Sequence, residues 1–180
     1  KEQELATGIK TITKLWNASK FSLEHLKDYD GKEAKLEIID EWILLKLNNL
    51  IKNCTEHLDN YEYSKAKAEM DNFFWNLFCD NYLEIIKDRL YNPDKRGKEK
   101  RRSAQYALHK CLLNIIKLFA PIMPFITEEI YQIKFAKEEK SKSMHVSKWP
   151  SYSDKKNKKA EEIGNRFIEI LSEVRKFKTS

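Results

Sequence analysis

Glycine and proline are scarce, four of each in 180 residues. Folds built from many short strands need these residues at their reversals, so the scarcity argues for a few long helices. Cysteine is scarcer still. Cys54, Cys79 and Cys111 stand far apart with no C-x-x-C pair, whereas a structural zinc site needs clustered ligands. Cys54 and His57 are one helical turn apart, but no second pair joins them, so buried thiols and no metal site are expected. The odd count, without a secretory leader, fits a reducing compartment and a cytoplasmic location. Long apolar runs are also lacking. The most apolar stretch, Leu118 to Ile126, is too short for a membrane span and holds Pro121 and Pro124. Sequence signatures of catalysis are missing too: no phosphate loop G-x-x-x-x-G-K-[ST], no G-x-G-x-x-G, no G-x-S-x-G and no H-E-x-x-H. His25, His57, His109 and His145 are scattered and read as surface or core-edge residues.

What the chain does have is enough hydrophobic residue, 41%, to bury a core, and 34% charge to solvate helix faces. The net charge of +6 permits a polyanionic partner without requiring one. On charge alone, RNA binding and a plain basic surface stay equally open.

Apolar residues recur at helical spacing. Leu5, Ile9, Ile12, Trp16, Leu23 and Leu26 form a first stripe, closed by the turn Asp28-Tyr29-Asp30-Gly31. Leu36, Ile39, Ile43, Leu47, Leu50, Cys54 and Leu58 form a second, ended by Asp59-Asn60. The third, Met70 to Ile86, is apolar over a wide arc and suggests the central helix. Asn92-Pro93-Asp94 stops it. Residues 95–102 read as a basic loop, with Ser103 capping a fourth helix through Leu118. Thr127 is expected to cap a short fifth helix, with Glu128 and Glu129 at its positive end. Residues 137–148 read as irregular, and Asp154 opens a terminal amphipathic stretch with Ile163, Phe167, Ile170, Leu171 and Val174. The expected fold is therefore all-α, an antiparallel helical bundle over residues 1–136. Residues 137–180 are expected to form a connection and a terminal helix packed on the bundle or extending from it. Trp16, Ile43, Leu47, Phe74, Leu77, Leu112 and Ile115 are expected in one core.

One constellation points outward. Lys10, Lys14, Asn17 and Lys20 lie along the polar side of the first helix, beside Trp16 and Phe21. Lysines meet phosphates, an amide meets base edges, and an aromatic ring stacks on an unpaired base. An ordinary solvated helix face has the same composition, and the residues alone leave both readings open.

A family resemblance sharpens this. Lys14-Leu15-Trp16-Asn17-Ala18-Ser19-Lys20-Phe21 resembles the K-L-W-N-A-x-[RK]-F signature of the valyl-tRNA synthetases, class I enzymes. Asp40-Glu41-Trp42-Ile43-Leu44 is similar to that family's second-helix start. Phe74-Trp75 with Phe78-Cys79-Asp80-Asn81-Tyr82 resembles its W-x-x-F-C-D-x-Y pattern. Ala120 to Tyr131 resembles a segment shared by the valine, isoleucine and leucine branches, and Met144 to Pro150 resembles the S-[IM]-H-x-S-x-W-P ending. Arg89-Leu90-Tyr91-Asn92-Pro93 looks like the archaeal-type valine enzymes. The resemblance implies an anticodon-binding domain whose parent enzyme uses ATP and Mg²⁺ to attach valine to its tRNA. The family's H-I-G-H and K-M-S-K-S motifs are not in this chain, so the chain alone is expected to be non-catalytic and to hold no cofactor. Implied partners are the valine tRNA and the catalytic domain of the same polypeptide, with no membrane and no DNA. Anticodon contacts fall on Lys10, Lys14, Asn17, Lys20 and Phe21, the last four inside the matched motif. Many relatives place arginine where this chain has Lys20. Lysine lacks the planar fork for a two-point base contact, which favours a phosphate role there. The alternatives are the same module of an isoleucyl-tRNA synthetase, or a helical protein-docking bundle without RNA.

Overall fold

The computed structural model describes the backbone of residues 2–154 and 156–179, and the side chains of 8–154 and 156–178. The helices are α1 (Glu2–His25), α2 (Ile38–Asp59), α3 (Tyr63–Asn72), a π-helical segment (Phe73–Leu83), α4 (Glu84–Tyr91), the single turn α5 (Pro93–Arg96), α6 (Lys98–Phe119), α7 (Pro124–Glu139), a 3₁₀ turn (Met144–Val146) and α8 (Lys158–Thr179). Among the described residues there is no strand, so the helical-bundle expectation holds.

Several boundaries lie where the sequence places them. The turn after α1 uses Gly31 at φ 75°, and Asp30 Oδ1 accepts from Lys32 N at 3.1 Å. Helix α2 ends at Asp59, and Pro93 follows α4 closely.

Others differ, for local reasons. Residues 95–102 are not a loop. Only Gly97, at φ 99°, interrupts the helical path there, and α6 begins at Lys98. Ser103 is therefore no cap but a buried residue inside α6, whose Oγ accepts from Glu37 N at 2.8 Å and donates to Asp40. Helix α7 starts at Pro124, whose fixed φ suits a first turn. Thr127 lies one turn in and donates back to Met123 O at 2.7 Å rather than capping. Glu128 ties down the 3₁₀ turn instead of serving the helix end, accepting from Met144 N at 2.9 Å and Ser143 Oγ at 3.1 Å. Residues 137–139, expected to be irregular, continue α7 to a left-handed Lys140 at φ 52°. The last helix opens at Lys158 rather than Asp154. Asn157 Oδ1 accepts from Ala160 N at 3.1 Å, which is an N-cap bond.

The hub of the core is α6, which meets α1, α2, α3, α4, α5 and α7, rather than the wide third stripe. Ala104, Ala107 and Ser103 are fully buried there, and their small side chains let neighbours approach. Its buried polar groups are satisfied: Lys117 Nζ by Glu139 Oε1 at 2.8 Å and Lys148 O at 2.9 Å, and His109 Nε2 by Glu138 Oε2 at 2.6 Å. Ile43, Leu47, Phe74, Leu112 and Ile115 are buried in one cluster as expected, whereas Trp16 and Leu77 are only partly buried at its edge. Ile9 and Ile12 of the first stripe are exposed, and the Leu5 side chain lies outside the described residues. All three cysteines are free and buried, and burial holds the Cys54 and Cys79 thiols up at about 12.

Helix α8 packs across α2. Gly164 lies against the Trp42 ring, where a Cβ would come within 2.2 Å of Cδ1. Trp42 Nε1 donates to Asn165 Oδ1 at 3.0 Å, and Lys46 pairs with Glu161 at 3.0 Å.

Candidate nucleic-acid interface

Lys10, Lys14, Asn17 and Phe21 follow one another at steps of four, three and four, which places them on one face of α1. The buried side of the helix is Thr11, Leu15, Ala18, Ser19 and Ser22. Lys10, Asn17 and Lys20 are exposed, and Lys14 and Phe21 are half-buried at the border with neighbouring helices. Lys10 and Lys20 form no ion pair with a described residue. Lys20 stands round the helix from the other four, on the side away from the core. The structure thus brings Lys10, Lys14, Asn17 and Phe21 together and leaves Lys20 at the margin.

Lys14 is not free. Its Nζ lies 3.2 Å from Asp80 Oδ1 and 5.1 Å from the centre of the Trp75 ring. Both partners come from the π segment. In an α-helix, residues five apart diverge by about 140°, given 3.6 residues per turn. The wider i→i+5 winding of a π-helix turns such residues back toward one side. Trp75 and Asp80 are one such pair. Asn76 and Asn81 are another, linked by Asn81 Nδ2 donating to Asn76 O at 2.7 Å. From α8, Arg175 donates to Asn81 Oδ1 at 2.8 Å and to Asp80 O at 3.0 Å.

At the other end of the strip, Phe21 meets His25 edge-on at 4.7 Å and Tyr91 at 6.3 Å, and His25 meets Tyr91 at 4.6 Å. Tyr91 is largely exposed. His25 is buried, and its Nε2 has no hydrogen-bond partner among the described residues. Burial, helped by the nearby Arg101 charge, lowers its pKa below the usual histidine range. The helix end is pinned by ion pairs, Arg101 with Asp28 and Arg102 with Asp30. Gln105 Nε2 donates to His25 O at 2.8 Å.

Sequence spacing does not mark Trp75, Asp80, His25 or Tyr91 as site residues. Trp75 and Asp80 stand in a matched motif, but α-helical spacing sends them to different faces, and only the π winding pairs them.

Elsewhere the surface offers two other features. A concavity of about 540 Å³ lies between α2, α6 and the segment before α8, with Leu44, Tyr106, Lys110 and Asn157 on its wall. An apolar stripe, Ile163, Phe167, Ile170, Val174 and Phe177, runs exposed along α8. Among the described residues no three His, Cys, Asp or Glu side chains gather as a metal site. No described helix is long and apolar enough to cross a membrane.

The fold defines the class, an all-α helical bundle with a lysine, amide and aromatic strip on its first helix, and comparison with known proteins gives the family. Residues 40–180 match the family described as the anticodon-binding domain of tRNA ligase. The chain belongs to that family. It is 39% identical over 173 residues to the valine–tRNA ligase of Pyrococcus abyssi, and 41% identical over 173 residues to that of Pyrococcus furiosus. Each alignment covers 94% of this chain and 19% of the relative. The valine–tRNA ligase of Rickettsia felis is 40% identical over 188 residues, covering 98% of the chain and 21% of the relative. The chain thus spans about a fifth of the length of the relatives it matches. The family match begins after α1, whereas the Rickettsia alignment omits too little of the chain to miss the strip.

Proposed function

We propose that this chain is the anticodon-binding and tRNA-positioning module of a valine–tRNA ligase. The observation that carries the reading is the α1 strip. Exposed Lys10 and Asn17, with half-buried Lys14 and Phe21, share one face of a helix whose buried side is locked into the bundle. An anticodon is a single-stranded loop whose bases can be splayed and read on their pairing edges. Lys10, Lys14 and Lys20 meet its phosphates, Asn17 meets a base edge, and Phe21 gives a face for stacking. The bundle, residues 1–136 with the last turn of α7, holds the tRNA, and α8 braces α2. The rest of the polypeptide supplies the catalytic site, which takes ATP and Mg²⁺, in a cytoplasmic enzyme without membrane or DNA partners.

The test uses the full-length enzyme. Lys10→Ala and Lys20→Ala are expected to weaken binding of all tRNAs alike. Each should flatten the salt dependence by about 0.7 of a log–log unit for every phosphate it leaves unneutralised, the single-strand value. Asn17→Ala is expected to narrow the gap between valine tRNA and an anticodon-swapped control by roughly 1–3 kcal/mol, on the scale of base-edge contacts in DNA. Lost stability with unchanged discrimination makes Asn17 structural. If none of the three changes alters tRNA binding, the recognition face lies elsewhere.

The exposed apolar stripe of α8 favours a second reading, a protein-docking bundle without RNA. Titrating the natural chain with valine tRNA separates the two. The RNA reading expects saturable binding that persists when Phe167 and Ile170 are replaced by Ser, and the docking reading expects none.

A further inference from the structure

Asp80 is an unexpected residue to find on a surface meant for phosphates. Its carboxylate is half-exposed and lies 3.2 Å from the ammonium of Lys14, which is itself 37% exposed. The same ammonium stands over the Trp75 ring at 5.1 Å. The π winding brings both groups to the same side, and Arg175 holds the Asp80 carbonyl at 3.0 Å, fixing the backbone from which the carboxylate projects. Lysine is normally a point charge on a flexible four-carbon stem that follows whatever anion is near. Here the stem is held at its tip by a carboxylate and a ring face, while Lys10 and Lys20 on the same helix have no ion pair with a described residue.

We propose that Asp80 is a specificity-determining residue that acts through Lys14, seating its ammonium so that only an RNA loop docked in register gains the contact. This rests on the anticodon-loop reading of the α1 strip. A loop held in register by Asn17 and Phe21 brings a phosphate to the seated ammonium, which then lies between phosphate and carboxylate. A loop lacking those contacts gains Lys14 only if the ammonium leaves its seat, and the carboxylate opposes that departure. The acidic residue therefore lowers the affinity for wrongly docked RNA more than for the right one.

The experiment measures binding of a valine tRNA transcript and an anticodon-swapped transcript to the full-length enzyme across a salt series. The proteins are the natural one, Asp80→Asn, Lys14→Ala, and the double variant. Asp80→Asn is expected to raise affinity for the swapped transcript about two- to fivefold, the range a half-exposed ion pair spans. It should steepen that transcript's salt dependence by about 0.7 and leave valine tRNA nearly unchanged. In the Lys14→Ala background the same substitution is expected to do nothing. Because Asp80 is half-exposed, its variants are expected to fold, which thermal unfolding checks, and Asp80→Ser repeats the measurement with a different neutral side chain. An equal gain for both transcripts, a loss for both, no change, or an unchanged effect without Lys14 overturns the proposal. The two readings fail separately. If Lys10, Lys20 and Asn17 substitutions weaken RNA binding while Asp80→Asn is silent, the strip stands and only the role of Asp80 falls. If those substitutions are silent too, both fall.

Discussion

Asp40 is fully buried, and four hydrogen bonds converge on its carboxylate. Arg89 donates to both oxygens at 2.7 Å, Tyr82 donates to Oδ1 at 2.8 Å, and Ser103 donates to Oδ2. The network ties α2 to α4, the π segment and α6, so removing the carboxylate strands a buried guanidinium. Asp40→Ala is expected to cost about 3–5 kcal/mol, the usual cost of breaking a buried pair, read from urea unfolding. The histidines divide by environment. The protonated His57 ring donates from Nδ1 to Glu62 at 2.9 Å and from Nε2 to Glu69 at 3.2 Å, and the hydrogen bond to Glu62 is the larger cause of its raised pKa. Burial is the larger cause of the lowered values of His25 and His109. In an NMR titration His57 is expected to titrate above the ordinary value of about 6.5, and the other two below it. The stability His57 confers is complete below that ordinary value and is lost as pH rises through its folded-state pKa. His57→Gln should therefore destabilise the protein at pH 6, with the difference fading as pH rises through that folded-state value. For His25 and His109 the sign reverses: their contribution is present above about 6.5 and is lost as pH falls through their folded values.

The helices themselves show which signals a sequence carries. Periodic apolar stripes mark the long elements, because burial of one helix face is a property of spacing alone. Stripe members at element edges are less legible. Trp16 and Leu77 reach the core only partly, and Ile9 and Ile12 not at all, since spacing says which residues share a face but not how far the neighbours extend. The π segment is invisible in the sequence because its residues fit an α pattern equally well, and the pairing of Trp75 with Asp80 is hidden with it. The central role of α6 is hidden for another reason. It rests on small residues and on satisfied polar ones such as Lys117 and His109, which carry no hydrophobic signal. Two substitutions test the packing. Phe74 is fully buried, edge-on to Phe119 at 5.8 Å, and Phe74→Ala is expected to cost roughly 3–5 kcal/mol in chemical unfolding. Gly164→Ala puts a methyl into the Trp42 ring. It is expected to push α8 off α2, costing about 1–3 kcal/mol as overpacking does, with a shift in the Trp42 indole NMR signal as its local readout. A neutral Gly164→Ala would show that α8 does not dock there.

At the scale of the whole molecule, charge and chemistry are separated. The net charge of +6 is small for a nucleic-acid domain, and many of the basic residues are engaged internally. Arg89, Arg101, Arg102 and Lys117 all hold carboxylates of the bundle. If the α1 strip with Lys10, Lys14 and Lys20 is what meets the polyanion, affinity is expected to be modest, with a salt dependence of about two log–log units, some 0.7 for each phosphate met. No phosphate loop occurs in the sequence, and the concavity between α2 and α6 sets Lys110 and Lys156 beside Glu41 and apolar Leu44 rather than a ring of backbone donors. Adenylate formation needs a site that clamps the ATP phosphates and stabilises the charge developing in the transition state. The relatives, about five times longer, have room to place that site outside the stretch they share with this chain. The expected outcome is that the purified 180-residue chain gives no valine-dependent exchange of pyrophosphate into ATP above a blank. The same preparation should bind valine tRNA in low salt and release it as salt rises. Both are measured on one sample, so a dead exchange assay cannot be blamed on unfolded protein. Exchange above the blank would place a catalytic centre within these helices and overturn the division of labour between this chain and the rest of the enzyme. An inert but folded chain that ignores tRNA at every salt concentration would leave the helical bundle without its proposed partner.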